Sequence, residues 1–433
     1  MMDAALHIIR TLVDAGHEAY FAGGGVRDML REQEPKDIDI ATSAPPDEVQ
    51  HLFEKTNAVG AHFGVIRVLL GDFEFEVATF RVDIGYSDGR HPDMVRFVTA
   101  REDVLRRDFT INGLLYDPLH DMVLDFVGGQ RDLERKILRC IGEPERRFQE
   151  DKLRMMRAVR FAAGMELHID QPTRRALQEN ARHILNVSIE RIRDELTGIL
   201  MGPYPQLGIQ LLIETGLARQ FIPEVADMQG IPQPPEFHPE GDVLTHVLLM
   251  LEMMKEPTIT LALAVLLHDI GKPETLAIRE RIRFDNHVQV GMEMTREILV
   301  RLHYSNEIID RVATLVRYHL HYKDVQNMRP STLKRFLSLD HFDEHLALHR
   351  LDCLSSHRNL DSYQFCLDKI AEFGAEPLIP PPLITGDDLI ADGYTPGPQF
   401  KLMLQAVQDA QLEENITTRE EALGLVRDQY PRT

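Results

Sequence analysis

The stretch "FAGGGVRDMLREQEPKDIDIAT", residues 21–42, decides how the chain is read. It sets a glycine run, an Arg27–Asp28 pair and two alternating aspartates close together. The apolar run "AYFA" leading into it predicts a strand, and "VRDMLRE" after the glycines has helical spacing. A glycine-rich turn between the two lets backbone N–H groups approach phosphate oxygens closely. "KDIDIAT" alternates polar and apolar with period two, which predicts a second strand. Asp37 and Asp39 then share one face, because side chains at i and i+2 point the same way. Two carboxylates on one face repel unless a cation sits between them. Oxygen ligands of this kind suit Mg²⁺, particularly when phosphates complete its shell. The combination points to metal-assisted nucleotidyl transfer. Neither part is specific alone: the glycine turn is not a Rossmann fingerprint or a P-loop, and paired aspartates on a strand are commonly a solvated face.

The rest of the chain bounds this reading. Its 433 residues have room for two to four domains. No apolar run approaches the roughly 20 residues that span a membrane, so no membrane partner is expected. The N-terminus begins an amphipathic helix and lacks a signal-peptide layout. Three widely spaced cysteines, Cys140, Cys353 and Cys366, argue for a reducing cytoplasm rather than disulfides or a zinc finger. A net charge of −21 counts against nonspecific adhesion to nucleic acid. Between Glu145 and Asp194, however, eleven Arg or Lys face eight Asp or Glu, so a local nucleic-acid contact stays open.

Four regions follow from the patterning. Residues 1–140 mix strands and helices, 141–235 are helical, 236–370 are helical and histidine-rich, and 371–433 are a helical tail. "IPQPPEFHPEGD" (231–242) is Pro-rich and polar and reads as a linker. The expected fold class is α+β, with all-α regions after the head.

Further chemistry lies along the chain. Glu76 in "FEFEVATFR" falls on a strand able to lie beside the aspartates, as a third carboxylate or an exposed strand residue. "LRRDFTINGLLYD" gathers Arg106, Arg107, Asp108 and Asn112 into one turn-to-helix segment, with groups that suit triphosphate charge and ribose hydroxyls. In "EDKLRMMRAVRFA", Asp151 and Arg154 stand at i, i+3 on a helix face, and Arg157 and Arg160 continue the stripe. Three like charges so spaced repel and gain nothing structurally, which favours a polyanion.

These motifs together resemble the class II tRNA nucleotidyltransferases, or CCA-adding enzymes, of the poly(A)-polymerase-like family. The resemblance rests on "GGGVRD", "DIDIAT", "EVATFR", "RRDFTING", "EDKLR" and "RAVRFAAG", in that order over roughly the first 200 residues. It implies a polymerase-β-like head with a mixed sheet, then helical neck and body regions. Asp37 and Asp39 would carry Mg²⁺, with Glu76 beside them. Gly24 and Arg27 would hold the triphosphate, helped by Arg107, Arg157 and Arg160. Asp151 and Arg154 would act as a protein template selecting CTP or ATP. The partner would be the 3′ end of tRNA, with no obligatory protein partner evident. Two departures, Gly113 where Ala is usual and Gly25 at a variable position, touch no implied role. Residues 81–104 resemble the flexible loop that CC-only enzymes lack. The stretch at 59–70, "VGAHFGVIRVLL", resembles the tRNA-acting kind rather than the poly(A) polymerases. An A-only enzyme, which shares these motifs, or a poly(A) polymerase remains the alternative.

In the second half, His268 and Asp269 of "LLHDIGKP", His246 upstream and Asp352 downstream form the ordered ligand set of HD-domain phosphohydrolases, which this region resembles. Such a set suits Ni²⁺, Co²⁺ or Mn²⁺. His287 and His319 stand where some HD proteins hold a second metal, and Lys272 is placed to meet a phosphate. His321, His341 and His345 read as structural. A phosphohydrolase with a degenerate transferase is thus the rival of another class.

Overall fold

The N-terminal periodicity buries Ala5, Ile8, Ile9 and Leu12 along one face of α1 (Met2–Asp14). In the computed structural model, which describes residues 1–35, 37–58, 63–84, 94–374 and 378–432, this helix covers the first sheet. The chain then runs through β1 (Ala19–Ala22), α2 (Gly23–Leu30), β2 (Asp39–Thr42) and α3 (Pro46–Leu52). Next come β3 (Thr56–Asn57), β4 (Val65–Leu70), β5 (Phe73–Thr79) and a hairpin of β6 (Arg81–Ile84) with β7 (Met94–Phe97). α4 (Ala100–Leu105), opened by a Thr99–Glu102 capping box, leads to β8 (Leu114–Asp117) and β9 (Met122–Asp125). Parts of the loop at 81–104 (residues 85–93) and of the stretch at 59–70 (residues 59–62) lie outside the described residues.

Seven strands form one mixed sheet in the order β3-β4-β5-β2-β1-β8-β9. β2 pairs parallel to β5 and antiparallel to β1. One face carries a core of Phe21, Ile38, Ile40, Ile66, Phe75 and Val77 under α1 and α3. Ala22, Ala41, Phe80 and Leu115 cluster with Val104 of α4. The alternation in "DIDIAT" is therefore real: Ile38 and Ile40 enter the core, and the aspartates take the other side.

Three local expectations change. Regular strand begins at Asp39, so Asp37 lies in the extended lead-in. The glycines form the first turn of α2 rather than a separate loop, with Gly23 at φ +67°. The segment after Arg107 is a 3₁₀ turn (Thr110–Asn112) followed by strand β8, not a helix. β8 pairs with β1, and that sheet demand overrides local propensity.

After α5 (Gly129–Glu134), α6 (Pro144–Glu150) and α7 (Arg154–Gly164) begin the helical part. The chain packs as two units: residues 1–227 with 297–305, and residues 228–296 with 306–433. In the second unit, helix Ile259–Leu267 is almost wholly apolar and buried from Ala262 onward, and it delivers His268 and Asp269 at its end. This unit is not purely helical, since Leu276–Ile278 and Ile282–Phe284 form a small hairpin. The tail has its own core around Leu389, Met403, Val407 and Val426.

Gly25 has a steric role that the sequence does not reveal. A Cβ there would lie 2.8 Å from the Asp37 carbonyl oxygen, so α2 and the lead-in to β2 touch through bare backbone. Gly25→Ala should destabilise the protein by about 1–3 kcal/mol in urea unfolding. It should also displace the Asp37 backbone. Parent-like stability would contradict this contact.

Candidate functional sites

In the first unit, a cleft of roughly 560 Å³ opens between the head sheet and the following helices, within the usual range for small-molecule sites. Asp37 and Asp39 line it with Gly23, Gly24, Arg27, Arg106, Arg107, Asp108, Asn112, Asp151, Arg154, Arg157, Arg160 and Phe161. Six arginines thus face four aspartates, a balance that favours a polyanion.

At the acidic end, the register that sets Ile40 opposite Val77 brings Glu76 beside Asp39. Asp39 is pushed up to about 6: burial contributes most, the charges of Asp37 and Glu76 add to it, and Arg107 offsets only part. This crowding fits a cation. Glu76 does not line the cleft, however, and reaches back to Arg67 at 3.4 Å. Of the three carboxylates, Asp37 and Asp39 line the cleft.

The basic groups are braced from behind. Arg27 donates to the Asn112 side chain at 2.9 Å, and Asn112 donates to Asp108 at 3.1 Å. Asp108 accepts from Nε and Nη2 of Arg157 at 3.0 and 2.9 Å. Burial would raise the Asp108 carboxyl, but Arg157 and these hydrogen bonds outweigh it and hold it below its usual range. Its Oδ1 and Oδ2 are therefore committed to Asn112 and Arg157. Arg154, nearly buried, is held by Glu150 at 2.8 Å and by the carbonyls of Arg147 and Arg106. Arg160 pairs with Glu195 at 2.7 Å.

Two expectations are corrected here. Asp151 caps the junction between α6 and α7 instead of sharing the helix of Arg154, though both line the cleft. The arginine stripe is not structurally idle, because Arg154, Arg157 and Arg160 each own a carboxylate partner. Sequence reasoning also missed Phe161, whose ring meets the guanidinium carbons of Arg160, Arg157 and Arg27 at 4.6, 5.0 and 5.4 Å. It missed Asp103 as well, a buried carboxylate that grips both Arg106 and Arg107.

The second unit gathers its predicted ligands around Asp269. His268 Nε2 lies 3.2 Å from Asp269 Oδ2, while His287 and His319 Nε2 lie 3.9 and 3.8 Å from Oδ1. His246 Nε2 lies 3.2 Å from Asp352 Oδ1. Ligand atoms of His246, His268 and Asp352 form one group, and those of Asp269, His287 and His319 another. All four Nε2 atoms are buried without an aligned hydrogen bond, which is the arrangement an ion would satisfy. Burial lowers His319 to about 4 and also lowers His287, favouring the neutral imidazole that binds metal. Burial would lower His246 too, but Asp352 and Glu240 outweigh it and hold it up to about 9. Lys272 bonds Asp269 and the Gln233 side chain, both at 2.6 Å. His321 and His345 pack among Tyr318, Phe336 and Phe342, as a structural role requires. No helix among the described residues is long and apolar enough to cross a membrane.

The crowding at Asp39 has a stability consequence. A carboxyl raised in the folded state costs stability as pH climbs from its unfolded value near 4 to its folded value of about 6. In EDTA, Asp39→Asn should therefore raise Tm at pH 8, with a smaller gain at pH 4.5, and Mg²⁺ should narrow the difference at pH 8. A variant no more stable than the parent at pH 8 contradicts the crowding.

Residues 19–139 match the poly A polymerase head domain, residues 166–229 a probable RNA and SrmB-binding site of polymerase A, and residues 242–344 the HD domain. The chain is 43% identical over 230 residues to the CCA-adding enzyme of Lactobacillus helveticus, covering 53% of this chain and 57% of that one. It is 44% identical over 224 residues to that of Geobacillus thermodenitrificans, covering 52% and 55%. The matches thus span about half the length of these curated relatives. The solved Bacillus stearothermophilus CCA-adding enzyme in complex with CTP aligns over 99% of this chain and 98% of that one, at 26% identity and a TM-score of 0.73. The Thermotoga maritima CCA-adding enzyme complexed with tRNA shares the fold at 20% identity and a TM-score of 0.61, covering 99% and 95%. Residues 19–139 thus resemble the poly A polymerase head domain, and the chain as a whole has the fold of the CCA-adding enzymes.

Proposed function

We propose that this protein adds CMP and AMP, from CTP and ATP, to the 3′ end of tRNA without a nucleic-acid template. The observation that carries the reading is the single cleft that joins Asp37 and Asp39 to six arginines, with Asp151 and Arg154 on its wall. Mg²⁺ held by Asp37 and Asp39 would supply charge neutralisation for the triphosphate and for the attacking 3′ oxygen. Gly23 and Gly24, in the first turn of α2, line the same cleft, and backbone N–H groups at a helix start suit phosphate oxygens. Arg27 and Arg107 are fixed by Asn112 and Asp103, so they meet the phosphates with little reorganisation.

Base selection falls to Asp151 and Arg154. Arg154 is locked by three oxygen acceptors, and Asp151 Oδ1 accepts from the Leu153 N–H at 3.0 Å. A rigid donor beside a rigid acceptor rejects bases that leave either unpaired. Arg154→Ala should thus raise UMP and GMP incorporation relative to CMP and AMP, while KM for total triphosphate changes less. Discrimination equal to the parent's would contradict the template role.

The HD cluster supports a second activity, the metal-dependent hydrolysis of a phosphate ester. Four buried Nε2 atoms without an aligned hydrogen bond favour it, together with an ammonium, Lys272, at the cluster's edge. Ni²⁺, Co²⁺ or Mn²⁺ suits such mixed imidazole and carboxylate ligands and would polarise the ester. The double variant His268→Ala with Asp269→Ala should abolish hydrolysis of a 2′,3′-cyclic nucleotide and leave CTP incorporation within about twofold, because sites in separate units act additively. Loss of nucleotide addition with unchanged tRNA affinity would contradict the separation.

A further inference from the structure

The Pro-rich segment at 231–242 reads as a linker, yet it is tied down at both ends. The Gly230 N–H donates to the Asp242 carboxylate at 2.5 Å, and the Val243 N–H donates to the Ile231 carbonyl at 3.1 Å. Between these ties it carries Gln233, His238 and Glu240 to the histidine cluster. Glu240 Oε1 lies 2.7 Å from His246 Nδ1 and 2.9 Å from His238 Nδ1, with the Glu240 side chain only 6% exposed. The two imidazoles meet edge-on at 4.9 Å.

The four candidate ligand histidines differ in the acceptor that their Nδ1 meets. His268, His287 and His319 each place Nδ1 on the backbone carbonyl three residues earlier: Val265 at 3.0 Å, Phe284 at 2.7 Å and Val316 at 2.6 Å. His268 and His319 directly follow helix C-termini, where such carbonyls are free, and His287 opens a helix and uses the carbonyl of Phe284 at the end of a strand. A carbonyl only accepts, so Nδ1 carries the proton and Nε2 offers its lone pair to the cluster. His246 lies inside helix Val243–Met253, where the carbonyl three residues back belongs to the helix ladder. Its Nδ1–H therefore needs an acceptor from outside the helix. Glu240 supplies it, and the Ser355 hydroxyl stands farther off at 3.3 Å.

We infer that Glu240 is a positioning residue for the HD metal centre, accepting the Nδ1–H of His246 so that Nε2 is aimed at the ion it would share with His268 and Asp352. The segment at 231–242 is then part of the metal site and not a spacer. This rests on the metal-binding reading of the cluster and adds a residue outside the ligand set. A carboxylate behind a ligating imidazole fixes its tautomer and raises its basicity, and losing one typically lowers metal affinity 10–100-fold.

The test is Mn²⁺ binding to the full-length, metal-stripped protein, followed by the EPR signal of free Mn²⁺, with Tm in EDTA and CTP incorporation measured on the same preparations. Glu240→Ala should weaken the tightest Mn²⁺ site by about 10–100-fold. Glu240→Gln, which keeps an acceptor oxygen in place, should restore most of the affinity. CTP incorporation should not change. A Glu240→Ala variant that binds Mn²⁺ as the parent does overturns the inference while leaving the metal reading intact. A parent that binds no Mn²⁺, Co²⁺ or Ni²⁺ overturns both. Loss of one whole ion from the stoichiometry in Glu240→Gln, with the rest bound as tightly, also overturns it, since Glu240 would then be a ligand. Lower Tm in EDTA with unchanged Mn²⁺ affinity would make the residue merely structural. Should Glu240→Ala fail to fold, Glu240→Asp decides: its carboxylate is one methylene too short, and parent-like affinity there overturns the proposal.

Discussion

The crowding of the half-buried Asp39 by Asp37 and Glu76 is the constraint that shapes the acidic end of the cleft in the first unit. Pairing β2 beside β5 forces these carboxylates into one corner, and burial raises the cost of ionising Asp39. A fold does not keep such a corner for stability. Arg107, gripped by Asp103, stands next to it and offsets part of the charge. On the proposed function, a cation and a triphosphate arriving together would convert an unfavourable cluster into a charge-balanced site.

Braced arginines extend the same logic across the cleft. Each guanidinium that faces the opening has a carboxylate, amide or carbonyl behind it, so little side-chain entropy remains to be lost on binding. The second unit uses histidines in the same manner. Acceptors on Nδ1 aim four Nε2 atoms inward, and Asp269 touches both groups of ligands. Each unit assembles its own chemistry from its own residues.

Much of this was legible because it is local. Period-two alternation correctly separated the buried Ile38 and Ile40 from the aspartates, and the ordered His and Asp set in the second half does converge. What was not legible depends on pairing between distant segments. "GLLYD" reads as the start of a helix until β1 claims it as a strand. Phe161 looks like an ordinary core residue in a helix, and only the three-dimensional structure sets three guanidinium groups around it. Prolines marked 231–242 as a linker, while the signal for its role was the polar pair His238 and Glu240 just ahead of His246. The arginine stripe looked self-repelling because its partners Asp108 and Glu195 lie 49 and 35 residues away.

The central claim is that the crowded acidic corner and the braced cleft build CCA at a tRNA terminus. The most direct measurement follows single-nucleotide extension of three tRNA transcripts, ending before CCA, after the first C and after CC, with CTP, ATP or both in Mg²⁺. The account predicts that CTP alone extends the first two to CC and stops. It predicts that ATP alone extends only the third, by one residue, and that the pair of nucleotides completes all three. Extension of the CC-ended transcript alone would make this an A-only enzyme, runs of A would make it a poly(A) polymerase, and no extension of any transcript would contradict the account outright.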